Sequence, residues 1–153
     1  MRTNLKTIHD FLAPKKLAIA GVSRNPKKFG YAVYKELKQK GFEIYPVNPN
    51  GDEIDGVKCY NQIMLLPKDV DRLLILTSKD RTLSALEEAV AKGIPYIWIQ
   101  QMSETKEAID YAKSKKVNLI ARQCILMHAE PVKSFHKFHR GINRFFGLFP
   151  KAS

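Results

Sequence analysis

Short apolar runs alternate along the chain with stretches in which apolar residues recur every three or four positions. Five of these runs predict buried β-strands, at 17–22, 42–47, 71–76, 96–99 and 117–121. A weaker extended segment near Val57 interrupts the pattern between the second and third strands. Strands that alternate with helices are typical of a parallel sheet with right-handed crossovers. We therefore predict an α/β fold: a Rossmann-like, doubly wound, mostly parallel sheet with helices on both faces.

The stretches between the strands have the periodicity of amphipathic helices. Their apolar faces are marked by Phe29, Val33 and Leu37, by Leu83, Leu86 and Val90, and by Ile109 and Ala112. Glycine commonly follows the end of a helix, so Gly41 and Gly93 indicate where the first two of these helices stop. Ser103 is a residue type that caps helix starts, and we expect it to be the N-cap of the third helix.

Both ends of the chain lie outside this alternation. Positions 4–12 predict a short opening helix, and positions 131–149 predict a C-terminal amphipathic helix with an aromatic face and a basic face. We expect the aromatic face to pack on the sheet or on a partner subunit, which makes a homodimer an option. Binding to a membrane surface or to nucleic acid through the basic face is the alternative. The chain is predicted to be one domain over 1–153, with its core at about 10–130.

The chain is basic, with 26 Lys and Arg against 15 Asp and Glu and a net charge of +11. The basic residues form short clusters without a run of five or six, which disfavours nucleic acid as the partner. No apolar run approaches the roughly 20 residues of a membrane span, and the amino terminus lacks a signal-peptide core. Cys59 and Cys124 are too few for a disulfide framework, so we expect a cytoplasmic protein.

Candidate ligand chemistry concentrates in the segment after the first strand. It combines glycine, hydroxyl, amide and basic side chains in Gly21, Val22, Ser23, Arg24, Asn25, Lys27, Lys28 and Gly30. Glycine lets the backbone approach a phosphate closely, and the following helix presents free N–H groups and the positive end of its dipole. The segment therefore predicts a phosphate-binding strand–turn–helix loop. The alternative is a tight turn in which Asn25 caps the helix.

The same segment disfavours a nicotinamide dinucleotide. The fingerprint for such a cofactor is G-x-G-x-x-G, but the next glycine after Gly21 is Gly30. The acidic residue expected near the end of the second strand is absent as well, because that position holds Asn48. A basic loop could still receive the 2′-phosphate of NADP, so that cofactor stays an alternative.

Five stretches form an ordered set: 18–30 (AIAGVSRNPKKFG), 46–49 (PVNP), 70–71 (VD), 98–100 (WIQ) and 122–125 (RQCI). Together they resemble the small stand-alone CoA-binding proteins and the CoA-binding domain of the succinyl-CoA synthetase α subunit. The likeness covers about residues 10–130. It implies a Rossmann-type fold with CoA or an acyl-CoA lying across the strand ends.

The resemblance also implies places for the parts of the ligand. The loop from Gly21 to Gly30 would meet the phosphates, and Asn48, Pro49 and Thr77 would flank the nucleotide. Gln100 would lie near the path of the pantetheine arm. Family members often have a glycine shortly after that glutamine, whereas this chain has Gln101 and Met102.

No catalytic residue or metal ligand is predicted. The synthetases that the chain resembles use further domains, and the chain extends only about thirty residues beyond the last predicted strand. His136 and His139 are one helical turn apart but have no Cys or carboxylate partner at ligand spacing. We expect Cys124 to be a buried, unreactive residue. An NADP-dependent or acyl-CoA-processing enzyme that uses Cys124 is the alternative to a non-catalytic carrier, sensor or partner subunit.

Overall fold

The computed structural model describes residues 3–130 and contains one five-stranded sheet. Its strands are β1 (Lys16–Ala20), β2 (Glu43–Val47), β5 (Arg72–Ile75), β6 (Tyr96–Gln100) and β7 (Asn118–Gln123). They lie in the order β2-β1-β5-β6-β7, and every neighbouring pair is parallel. A small antiparallel hairpin, β3 (Glu53–Ile54) and β4 (Val57–Lys58), accounts for the extended segment predicted near Val57. The predicted Rossmann-like sheet is confirmed.

Residues 3–130 also form four α-helices and two short 3₁₀-helices. The α-helices are α1 (Leu5–Leu12), α2 (Phe29–Gln39), α3 (Lys79–Lys92) and α4 (Lys106–Ser114). The 3₁₀-helices span Ile63–Leu65 and Ile125–Met127. The C-terminal helix predicted over 131–149 lies outside the described residues.

Each strand sends alternate side chains to two core layers, as its pleat requires. Leu17, Ile19, Leu74 and Trp98 pack with α1, α2 and the second 3₁₀-helix on one face. Ala18, Leu73, Ile97 and Ile99 pack with α3 and α4 on the other face. Because both faces are covered, the strands consist of continuous apolar runs, which is why they could be predicted from the sequence.

Three local features differ from the prediction. The N-cap of α4 is Thr105, whose hydroxyl accepts from the Ala108 N–H at 3.0 Å, and Ser103 lies in the preceding turn. Phe29 is 52% exposed, because it is the first residue of α2 and precedes the buried stripe that begins at Val33. The last strand extends past Ala121 because Arg122, at φ +62°, forms a bulge and pairing resumes at Gln123.

The order of the strands determines where a ligand can enter. From β1 the chain crosses to the edge strand β2, and it then returns to β5 on the other side of β1. The connections that leave β1 and β5 therefore diverge at the carboxyl edge of the sheet. In open α/β sheets this reversal point is the usual ligand crevice.

Candidate functional site

A cleft of about 650 Å³ opens at this reversal point. It is formed by the segments that follow β1, β2 and β5 together with one face of α3. Asn61, Gln62 and Ile63, from the segment before and at the start of the first 3₁₀-helix, complete its lining. Its size lies in the range of small-molecule sites, which is about 300–1,000 Å³.

Two glycines allow the close packing behind the cleft. Gly21 has φ +96°, and a β-carbon there would lie 2.9 Å from the Leu76 carbonyl carbon. A β-carbon on Gly30 would lie 2.5 Å from the carbonyl oxygen of Gly21. The end of β1 therefore sits between β5 and the first turn of α2 with no room for a side chain at either glycine.

The segment 21–28, which we call the phosphate loop, is held by its own hydrogen bonds. The Asn25 N–H donates to the Ser23 hydroxyl at 3.0 Å. The Asn25 side-chain and main-chain oxygens accept from the N–H groups of Lys27 and Lys28, each at 3.0 Å. Asn25 thus closes a tight turn before the helix, as the alternative expected, but the N-cap of α2 is Lys28, so the expected helix cap at Asn25 is wrong.

The start of α2 is free of a side-chain cap. Its N-cap residue is Lys28, which makes no side-chain capping hydrogen bond. The first N–H groups of a helix have no partner within the helix and attract anions. Arg24, Lys27 and Lys28 precede them and are exposed, so a loop whose first residues line the cleft carries three positive charges.

Asn48 connects the end of β2 to the phosphate loop. Its side-chain Nδ2 donates to the Val22 carbonyl at 2.7 Å, and its Oδ1 accepts from the Asn50 N–H at 2.8 Å. Arg24 reaches the same region, where its Nη2 donates to the Asn50 carbonyl at 3.3 Å. The neutral amide of Asn48, whose nitrogen and oxygen both make hydrogen bonds, therefore occupies the position at which a dinucleotide-binding fold has its ribose-binding carboxylate.

The opposite wall of the cleft, the α3 wall, comprises Thr77, Ser78, Asp80, Arg81, Ser84, Ala85 and Glu88. Thr77 is half-buried, and its hydroxyl lies 3.1 Å from that of Thr82. A hydrogen bond from Ser78 holds the pKa of Asp80 below its usual range, so this carboxylate is ionised at neutral pH. The α3 wall thus carries two acidic residues and one basic residue, Asp80, Glu88 and Arg81.

Most of the predicted ligand residues are brought together. The cleft is lined by Gly21, Val22, Ser23, Asn48, Pro49 and Thr77. Arg24, Asn25 and Lys28 lie in the exposed part of the phosphate loop, and Gly30 packs behind it. Gln100 is placed apart from them: it is buried at the end of β6, and its Oε1 accepts from the Ile125 N–H at 3.0 Å.

Both cysteines are buried. Burial raises the pKa of the Cys124 thiol, and a hydrogen bond with Gln100 opposes that shift only in part. Burial also raises the pKa of Cys59, which lies behind the loop at Asn48. Because the thiolate is the nucleophilic form, this environment disfavours nucleophilic chemistry at Cys124. The prediction that Cys124 is a buried residue is confirmed.

Several polar residues of the cleft were missed in the sequence: Asn50, Asn61, Gln62, Ser78, Asp80, Arg81, Ser84 and Glu88. Ser78, Asp80 and Arg81 follow β5 directly, and the rule that ligands lie beyond strand carboxyl ends could have found them. Asn61 and Gln62 carry no comparable signal, because only the tertiary fold brings that segment to the cleft.

Within residues 3–130, no group of three or more His, Cys, Asp or Glu residues is arranged to hold a metal ion. No helix in the same range combines the length and the apolar character that crossing a bilayer requires.

The comparison with protein families identifies residues 15–130 as a CoA binding domain. This match covers the whole sheet and every wall of the cleft. The chain belongs to the CoA-binding domain family. The resemblance seen in the sequence is therefore confirmed.

Curated and solved relatives agree with this assignment. The chain is 32% identical over 126 residues to the acetate–CoA ligase (ADP-forming) II subunit alpha of Pyrococcus furiosus, and the match covers 75% of this chain. That match spans only 28% of the ligase subunit. The uncharacterized protein YneT of Bacillus subtilis is 30% identical over 111 residues, which is 72% of this chain and 82% of that protein.

A conserved hypothetical protein of Pyrococcus furiosus has a similar solved structure. It is 40% identical in sequence and superimposes with a TM-score of 0.70. The match covers 72% of this chain and 95% of that one. Members of this fold therefore occur both as part of a large ligase subunit and as a chain of about this size.

Proposed function

We propose that the chain binds CoA or an acyl-CoA in the cleft, with the phosphates on the phosphate loop and the start of α2. The observation that carries this proposal is the uncapped start of α2, preceded by three exposed basic side chains in a loop whose first residues, 21–23, line the cleft. CoA carries about four negative charges, from a diphosphate and a 3′-phosphate. Helix N-termini and Arg or Lys side chains are the protein groups that best stabilise such charge.

The other walls suit the nucleoside. Asn48 offers no carboxylate to a ribose, which favours CoA over NAD as the nucleotide. In this proposal the nucleoside lies between Asn48–Pro49 and Thr77, all of which line the cleft. Gln100 does not line it, and its hydrogen bond to Ile125 holds the turn after β7. We propose that Gln100 shapes the path of the pantetheine arm through its hydrogen bond to the turn after β7.

The proposed role is binding without a reaction of this domain's own, as carrier, sensor or partner subunit. The buried, protonated Cys124 supports this, because it lacks the features of a nucleophile. The matched part of the Pyrococcus furiosus ligase subunit is 28% of its length, so the similarity concerns one domain of that protein. We propose that CoA binding is the property that the two chains share.

The test of this proposal is a double substitution in the phosphate loop, Ser23→Ala with Lys28→Ala. Hydrogen bonds to charged groups are worth about 1.5–3 kcal/mol each, so CoA affinity should fall at least tenfold. Lys68→Ala is the charge control, since Lys68 is exposed and precedes β5 at the opposite edge of the sheet. Unchanged affinity in the double variant, or an equal loss in the control, would contradict the proposed site.

A further inference from the structure

The direction of one hydrogen bond in the α3 wall follows from its partners. Thr82 is fully buried, and its hydroxyl oxygen lies 2.7 Å from the Ser103 carbonyl and 3.3 Å from the Ser78 carbonyl. Carbonyl oxygens can only accept hydrogen bonds. The single hydroxyl proton of Thr82 is therefore directed to these carbonyls, with Ser103 as the nearer one.

This arrangement determines the role of Thr77. Its hydroxyl lies 3.1 Å from that of Thr82. Since the Thr82 proton is used toward a carbonyl, Thr82 can only accept from Thr77, and Thr77 must donate. A hydroxyl has one proton and two lone pairs. Thr77, which lines the cleft, is left with acceptor capacity alone for a ligand.

A second feature of the same wall favours the same kind of ligand group. Asp80 lines the cleft in the first turn of α3, where its carboxylate is another acceptor and carries a negative charge. A phosphate placed there would meet the like charge of Asp80 next to the positive charge of Arg81, and a Thr77 hydroxyl with no proton to give. The phosphate loop has no acidic residue and carries three exposed basic side chains, Arg24, Lys27 and Lys28.

We propose that Thr77 determines the orientation of the ligand by accepting a hydrogen bond from a hydroxyl or amino group of its nucleoside. Thr82 acts as a positioning residue, because it accepts the hydrogen bond that the Thr77 hydroxyl donates. This inference rests on the proposed binding of CoA and specifies how that site distinguishes one end of the ligand from the other. The donor has two sources in CoA, the ribose 2′-hydroxyl and the adenine amino group.

The experiment compares three ligands by calorimetry: CoA, a CoA analogue with 2′-deoxyribose, and a CoA analogue with hypoxanthine in place of adenine. Thr77→Val keeps the shape of the side chain and removes its acceptor oxygen. We expect it to weaken CoA binding about fivefold, the range of one hydrogen bond. The loss should vanish for the analogue that lacks the donor, which identifies the source.

Substitutions at Thr82 test the direction of the bond. Thr82→Val removes the hydroxyl that accepts the hydrogen bond from Thr77. The Thr77 hydroxyl then becomes able to donate to a ligand. The preference for CoA over the analogue that lacks the donor group should then become smaller. Thr82→Ser keeps the hydroxyl, so this variant should keep the full preference. Thermal unfolding of each variant checks its fold. If Thr82→Val does not fold, Thr77→Val and the three ligands still decide the assignment.

The outcomes separate this inference from the proposed function. If the wild-type protein binds CoA and Thr77→Val weakens all three ligands equally, or none of them, the role of Thr77 is wrong while CoA binding stands. An unchanged preference in a folded Thr82→Val variant would contradict the positioning role of Thr82. If the wild-type protein binds no CoA, the proposed function fails and the Thr77 assignment fails with it.

Discussion

The α-carbon of Gly30 lies against the carbonyl oxygen of Gly21, so that a β-carbon on Gly30 would come within 2.5 Å of that oxygen. These two glycines are nine positions apart in the sequence, and their contact joins the end of β1 to the first turn of α2. It gives the phosphate loop its shape, because the chain must leave Gly21 and return to Gly30 between two fixed points.

Gly30→Ala should disturb this contact. The nearest atom is a main-chain oxygen, which cannot move as a flexible side chain would, and overpacking of this kind costs about 1–3 kcal/mol. We expect the free energy of unfolding, measured by urea denaturation, to fall by that amount and CoA binding to weaken. Gly51→Ala is the control, since its nearest neighbours would lie at 3.7 Å. Equal stability of the two variants would contradict the close packing.

Asn48→Asp tests the link between β2 and the phosphate loop. The substitution removes the donor to the Val22 carbonyl, leaves that carbonyl facing a carboxylate, and adds a negative charge to the cleft. We expect CoA affinity, measured by calorimetry, to fall more than tenfold, because a lost hydrogen bond and charge repulsion act together. Asn61→Asp adds the same charge to the cleft lining without breaking that bond. If both variants lose the same affinity, charge alone explains the effect.

Two substitutions test which residue is the N-cap of α4. Thr105→Ala removes the hydroxyl that accepts from Ala108, and loss of such a cap costs about 1 kcal/mol. Ser103→Ala should cost less, because the contact of Ser103 with Thr82 is made by its main-chain carbonyl, which alanine keeps. Urea denaturation of both variants measures the difference. A larger effect at Ser103 would place the cap where the sequence alone suggested it.

The buried thiols predict a pH dependence of stability. Burial raises the pKa of Cys59 and Cys124 in the folded protein, whereas the unfolded chain has ordinary thiols that ionise near about pH 8.5. Above that pH the unfolded state loses these protons first, so the free energy of unfolding should fall as pH rises. Below about pH 8.5 the thiols are protonated in both states, and their contribution to the free energy of unfolding is fully present.

Cys124→Ala isolates this contribution. The variant should lose less stability than the wild-type protein between about pH 8 and pH 10, as measured by urea denaturation at each pH. Subtracting one profile from the other removes the effects of other titrating groups. Parallel profiles would show that the Cys124 thiol has an ordinary pKa in the folded protein.

The sequence was sufficient for the architecture, because the strands are buried on both faces and consist of unbroken apolar runs such as Leu73–Ile75. The position of the phosphate loop followed from the same logic, since a ligand crevice lies beyond strand ends. The sequence preference for N-cap residues was less reliable where two suitable residues lie close together before a helix. Ser103 and Thr105 are both good N-caps, and only the geometry of the turn selects Thr105.

The α3 wall shows why the rest of the site could not be predicted. The family resemblance implies that Thr77 flanks the nucleotide, but the acceptor role that we propose for it depends on Thr82 and on the Ser103 carbonyl. Ser103 is 21 residues from Thr82 and reaches it through the packing of α3 beside the turn that precedes α4. No sequence pattern encodes the direction of a hydrogen bond that depends on such a tertiary contact.

The most direct test of the account is a calorimetric titration of the wild-type protein with CoA, after unfolding and refolding to remove any carried-over ligand. NAD and NADP serve as controls in the same buffer at moderate salt. We expect CoA to bind at micromolar strength or tighter and NAD to give no binding. Absence of CoA binding by the correctly refolded protein, or tighter binding of NAD than of CoA, would contradict it.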